Sequence, residues 1–276
     1  MGLSRPGLIL LGFVLVGVVL GGVGCGARRA LPRVSEVPSG LPSAGELLAR
    51  VERERAHLRG LRTIADSEIS GSQGPIRASE VLLVEPPARL RIEVLSIFGI
   101  AWILATDGEV LDVYSREDDT IYRGTPTPEL IAHYLPVPLA LYELTELFLG
   151  RPPERDVAEA GAVAWEPETG LLRLTLGLRG GGTETMWFNG AAGLLIRCEE
   201  RAPDGALRFD LWIKAYREVN GGLLGSDLTI VGPGGAQVRL AYGRSELNPV
   251  LSADLFRLRH VFAASEVPLV TPDDLP

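Results

Sequence analysis

Few residues of this chain could carry a reaction. They are two cysteines, Cys25 and Cys198, three histidines, His57, His133 and His260, and two adjacent carboxylate pairs, Asp118-Asp119 and Glu199-Glu200. The cysteines and histidines lack the close spacing that binds a metal. None of the histidines has a serine or cysteine with a supporting carboxylate beside it in sequence. The carboxylate pairs fall on a strand or a tight turn, where neighbouring side chains point apart. They are therefore poor acid and base partners and read as solvated. Gly180-Gly181-Gly182 lacks the Lys-Ser/Thr of a phosphate loop and separates two strand patterns, so it reads as a hairpin. There is no G-x-S-x-G elbow and no H-E-x-x-H. The sequence implies no catalytic residue, no metal and no cofactor, and points to binding.

Cys25 has a different chemistry in view. After the single basic residue Arg5, positions 7–24 form an apolar run that ends in small residues directly before Cys25. A charged start, an apolar middle and a small-residue end are the parts of a secretory signal. The placed cysteine resembles a bacterial lipoprotein signal, in which Cys25 becomes the acylated N-terminus. Gly22 departs from that pattern, since Leu is usual there. The competing reading is an uncleaved transmembrane anchor, for which the run is long enough. Gly26 after the cysteine favours the outer over the inner membrane. With Cys25 acylated, Cys198 stands alone. It lines up with Leu194 and Ile196 at alternate strand positions and reads as a small core residue. A Cys25–Cys198 disulfide is the alternative in an oxidising compartment.

The elements follow from the pattern. The chain has 276 residues, net charge -8 and 46% hydrophobic residues, enough for one large or two modest domains. Its acidic balance, with no basic cluster among aromatics, argues against nucleic acid as a partner. Residues 1–25 are the signal and lipidation site, 26–42 a Pro/Ser/Gly-rich tether, 43–262 the folded domain and 263–276 a tail. Ser43-Ala44-Gly45-Glu46 has the form of a capping box. A helix over Leu47–Leu61 should follow, with Leu47, Leu48, Val51, Leu58 and Leu61 as its apolar stripe and Glu52, Arg53, Glu54 and Arg55 solvated. From Thr63 onward the period is that of strands, broken by tight-turn pairs at Asp107-Gly108, Asn189-Gly190, Asp204-Gly205 and Asn220-Gly221. In Ala88–Leu95, Leu90, Ile92 and Val94 alternate with Arg89, Arg91 and Glu93, giving one apolar and one wet face. In Leu207–Arg217, Phe209, Leu211 and Ile213 alternate with Arg208 and Asp210. No repeat of 20–50 residues is visible.

Two helices interrupt the strands, Glu129–Tyr134 and Leu139–Leu149. The second lies in LPVPLALYELTELFLGRPP (Leu135–Pro153), with Pro136 and Pro138 before it and Gly150 and Pro152-Pro153 after it. It is apolar almost all round: Leu141, Leu144 and Phe148 on one side, Leu139, Tyr142 and Leu149 on another. Such a helix should be covered on more than one face. The fold class expected is mainly β with a few helices (α+β): a curved, half-open antiparallel barrel of about eleven strands, with helices capping an apolar cavity.

Two passages carry a family resemblance. IEVLSIFGIAWILATDGEVLDVYSREDDTIYRG (Ile92–Gly124) and Leu135–Pro153 resemble the outer-membrane lipoprotein receptor LolB and its carrier relative LolA. The resemblance implies a half-open barrel that binds acyl chains and performs no covalent chemistry. It implies acylated lipoproteins or lipids as ligands, a periplasmic LolA-like carrier as partner, a monomer, and a lipid-anchored, periplasm-facing place at the outer membrane. Leu95–Gly99 matches the family's protruding apolar loop, with Ile97-Phe98 where the family has Pro-Leu. This implicates Ile97 or Phe98 in membrane contact or transfer, against a reading in which Phe98 packs under the loop. Leu139, Leu141, Tyr142, Leu144 and Phe148 are the candidate cavity and lid residues, against a reading in which they fill an ordinary core. A LolB-like envelope lipoprotein with another lipid cargo is the runner-up, and a tethered enzyme the third.

Overall fold

The computed structural model describes residues 28–29, 40–71, 74–190, 192–259 and 265–268. Residues 1–27 with Cys25, where the signal is expected, most of the expected tether and tail, and His260 lie outside the described residues. Within the tether, Arg28–Arg29 is strand β1. Helix α1 (Ala44–His57) follows, then strands β2 (Leu61–Gly71), β3 (Gly74–Glu85), β4 (Arg89–Ser96), β5 (Gly99–Thr106), β6 (Leu111–Ser115) and β7 (Thr120–Gly124). Helices α2 (Pro128–Tyr134) and α3 (Leu141–Phe148) come next. Strands β8 (Val157–Ala160), β9 (Ala164–Glu166), β10 (Leu171–Leu178), β11 (Thr183–Asn189), β12 (Leu195–Arg201), β13 (Leu207–Val219), β14 (Gly222–Val231) and β15 (Gln237–Leu247) form the second half. A short 3-10 turn (Ala253–Phe256) and β16 (Ser265–Pro268) close the described chain.

All strands join one curved sheet in the order β16-β7-β6-β5-β4-β3-β2-β15-β14-β13-β12-β11-β10-β8, with β9 beside β10 and β1 beside β13. The first half meets the second where β2 pairs β15, from Gln237 opposite Ser70 to Leu247 opposite Leu61. Every described pairing is antiparallel except β16 on β7, which is parallel. The alternating strand directions gather the turns into two rims. The lower rim holds the β3–β4, β5–β6, β11–β12 and β13–β14 turns. The upper rim holds the β2–β3, β4–β5, β12–β13 and β14–β15 turns.

The core lies on the concave face, under α1 and α3. Leu82, Leu90, Leu104 and Val113 from the first half meet Leu174, Phe188, Phe209 and Leu228 from the second in one cluster. The capping box at α1 forms as expected, with Glu46 N–H donating to Ser43 Oγ at 3.2 Å and Ser43 N–H to Glu46 at 2.7 Å. The helix stops at His57, earlier than its apolar stripe implies: Leu58 is an extended cap and Leu61 opens β2. Both are buried all the same. Helix α3 starts two residues later than Leu139, because Pro138 and an extended Ala140 precede it. Gly150 ends it at φ +73°, and a side chain there would press on Leu228 and Gly225.

Other corrections trace to bulges and to cover from distant chain. Arg91 is buried, not on a wet face, because residues 253–258 lie over the convex side of β4 and β5. Its guanidinium donates to Leu255 O at 2.7 Å and to Glu93 at 2.6 Å. Beneath that strap Ile103, Ala105, Tyr114, Ile121 and Leu258 form a second small core. A register shift between Trp187 and Phe188 pairs Leu195 with Phe188 and Arg197 with Trp187, so the inward face of β12 is Leu195, Cys198 and Glu200, in place of Leu194 and Ile196. A second shift between Glu200 and Arg201 leaves Arg208 as the extra residue of β13 and lets it reach the concave side. Strand β8 lacks a clear alternation, and β16 is an extended piece within the segment expected as a tail.

Candidate functional site

A cavity of about 360 Å³ opens at the lower rim between α1, the end of α3 and the concave face of β11–β14. Its apolar lining comes from Val51 of α1, Leu58 just after that helix, Leu149 after α3, and Phe188, Leu195 and Leu223 of the sheet. Tyr216 also lines it, with its hydroxyl satisfied by donating to Leu195 O at 2.6 Å. Arg50, Arg53 and Glu54 of α1 stand at the mouth. The volume is that of a small-ligand pocket, and its lining sets an apolar wall against a charged side formed by Arg50, Arg53, Glu54 and Arg151. Gly193, at φ +65° on the β11–β12 turn, lets Arg50 lie across the mouth: a Cβ there would fall 1.5 Å from Arg50 Nη1.

Two ionic clusters fix α3 above the sheet. Near its start, Arg155 Nε donates to Glu200 at 2.7 Å and its Nη2 to Glu143, while Arg208 donates to Glu143 at 2.9 Å and to Glu200. Glu143 also accepts from the Ala140 N–H at 2.8 Å, satisfying a free helix-end donor. At the other end Glu146 receives Arg55 at 2.8 Å and a fork from Arg151, which also donates to Arg55 O at 2.9 Å. Thus Arg55 turns toward α3 rather than to solvent, and Glu200 is buried in place of the solvated pair expected with Glu199. Sequence reasoning missed Arg155, Arg208 and Arg151. Their signal is the two glutamates, Glu143 and Glu146, that interrupt an otherwise apolar helix and need cations once the helix is covered.

Leu139, Leu141, Leu144 and Phe148 are all buried in the main cluster. None of them lines the described cavity, which begins one residue further on at Leu149. They pack on β3 and β4 and toward β15, where Tyr242 donates to Phe148 O at 2.6 Å. Tyr142 is turned outward, with Arg155 donating to its hydroxyl at 3.2 Å. The tip of the β4–β5 hairpin is on the upper rim. There Ile97 is 93% and Phe98 75% exposed, so Phe98 does not pack under the loop. Ser96 holds the turn by accepting the Phe98 N–H at 3.2 Å and donating to Gly99 O at 2.8 Å.

The groups with chemical potential are dispersed. His57 and His133 are exposed, and Asp118 and Asp119 sit on an exposed turn, bonded to Tyr122 and Tyr114. Cys198 is fully buried and donates to Glu184 at 3.4 Å; burial pushes its thiol well up, away from the reactive thiolate. Burial raises Glu184 to about 7, and Glu80 to about 7 against a hydrogen bond from Ser67 at 3.1 Å. No group of three or more His, Cys, Asp or Glu suited to a metal occurs among the described residues.

No family model matches the sequence. No curated protein matches it either. The fold has relatives among solved structures. A DUF1329 family protein from Desulfovibrio piger superposes with TM-score 0.55 at 11% identity, over 77% of this chain and 95% of that one. A LolA superfamily protein from Nitrosomonas europaea gives 0.52 at 11% identity, over 79% and 99%. A domain from Vibrio parahaemolyticus, described as a candidate outer membrane lipoprotein-sorting protein, gives 0.51 at 9% identity, over 76% and 94%. The fold is LolA-like. The curved, half-open sheet with helices on its concave side is the architecture expected from the strand pattern.

Proposed function

We propose that this protein is a LolB-like envelope lipoprotein, anchored through acylated Cys25, that binds acyl chains and hands acylated lipoproteins from a LolA-like carrier to the outer membrane. The observation that carries the reading is the cavity of about 360 Å³ walled by Val51, Leu58, Leu149, Phe188 and Leu223 on the concave face. Each acyl methylene taken out of water there contributes about 0.8 kcal/mol. Binding and release need no covalent step. Helix α3 acts as the lid. A chain longer than the resting cavity displaces it and gains Leu141, Leu144 and Phe148, with Leu139 and Tyr142 at its start. Ile97 and Phe98, two apolar side chains held out by a rigid turn, are the transfer contact, since exposed apolar tips are uncommon without a partner.

The test is transfer. A soluble form lacking residues 1–25 is mixed with a carrier loaded with an acylated lipoprotein. Cargo should move to the wild type, and move poorly both to Leu144→Asp and to Phe98→Glu. A folded protein that takes no cargo from a competent carrier overturns the receptor role. Lipids co-purifying with such a protein would then identify another cargo.

A further inference from the structure

We infer that the lower rim of the sheet, with the cavity mouth, lies on the bilayer that holds the anchor, and that the Ile97–Phe98 hairpin points away from it. The inference rests on the proposed lipidation of Cys25, and its new element is the orientation. It comes from β1. Arg28 pairs with Arg217 and Arg29 with Tyr216, antiparallel to β13. Strand β13 runs downward to the turn at Asn220-Gly221, so β1 runs upward, with Arg28 at its end nearer the lower rim. Two residues, and so three chain steps, separate Cys25 from Arg28. At no more than 3.6 Å each they reach at most about 11 Å. A lipid on Cys25 is therefore tied to the β13–β14 end of the sheet rather than floating on a long leash.

The same rim carries the cavity mouth. Tyr216, the partner of Arg29, is itself a cavity wall. Arg50 and Arg53 at the mouth are exposed and suited to lipid phosphates. Val250, in the loop after the lower end of β15, is 98% exposed and gives the rim an apolar point. The hairpin tip belongs to the other rim. From Arg89 to Ile97 β4 rises on the order of 25 Å. In this orientation an acyl chain passes between cavity and bilayer through the lower mouth, and the upper tip meets what arrives from the aqueous side.

The full-length acylated protein is reconstituted in vesicles of phosphatidylethanolamine and phosphatidylglycerol doped with a nitroxide-labelled lipid. A fluorophore is placed at Val250→Cys, Ala192→Cys or Ile97→Cys in turn, the buried Cys198 being left in place. Strong quenching is expected at positions 250 and 192 and none at 97. Inserting a flexible linker of about twenty Gly/Ser residues between Cys25 and Arg28 should abolish the difference while leaving the fold unchanged. Quenching at 97 with none at 250, equal quenching at all three, or no attachment through Cys25 each overturns the orientation. Because position 250 lies outside the cavity, a failed orientation leaves acyl-chain binding by the soluble form to be judged by its own assay.

Discussion

Glu80 is buried on the concave face with only the Ser67 hydroxyl for company, and its carboxyl is held at about 7. A raised acid favours the protonated form in the folded chain. Its contribution to stability is therefore full below the usual carboxylate value near 4.5 and is lost as pH rises through about 7. Replacing Glu80 by Gln should leave stability unchanged near pH 4 and raise it at pH 8 by roughly 1–3 kcal/mol, read from urea midpoints at the two values. Equal effects at both would show that Glu80 is ionised when folded. At Leu144, fully enclosed between α3 and the sheet, truncation to Ala should cost about 3 kcal/mol. Phe98→Glu, on an exposed tip, should shift the midpoint by less than about 0.5 kcal/mol and act on transfer alone.

Helix α3 is the element on which sequence and structure can be compared most sharply. Its end was legible from Gly150 and its start to within two residues from Pro138, and its all-round apolarity announced that it would be covered. Its ionic fastening was not legible, because Arg155 and Arg208 reach Glu143 from the chain after α3 and from a bulged strand far along the sequence. Bulges are invisible to a two-residue period, and the same fact misplaced Arg208 and shifted the inward face of β12. Arg91 was misread for a related reason: the strap that covers it comes from residues 253–258. The fastening has a measurable consequence. Arg155→Ala leaves Glu143 and Glu200 short of a cation in a nearly dry site, and should destabilise the fold by about 3 kcal/mol. Loss of a merely exposed pair would shift the midpoint by under about 1 kcal/mol.

For the whole molecule, the strand meander, the curved sheet and its helical cap followed from turn pairs and alternation, and the apolar concavity followed from them. The place of the cavity did not. It depends on how α1, remote in sequence, settles against β11–β14, and it lies at the C-terminal end of α3 rather than beneath its middle. The central claim is that this concavity holds acyl chains. The most direct measurement is photo-crosslinking of the soluble domain with a long-chain fatty acid bearing a terminal diazirine, mapped by mass spectrometry. The account expects adducts on peptides containing Val51, Phe188 and Leu223, and their loss in Val51→Trp, which fills the space. Adducts confined to the exposed Ile97–Phe98 tip, or unchanged labelling in Val51→Trp, would contradict it.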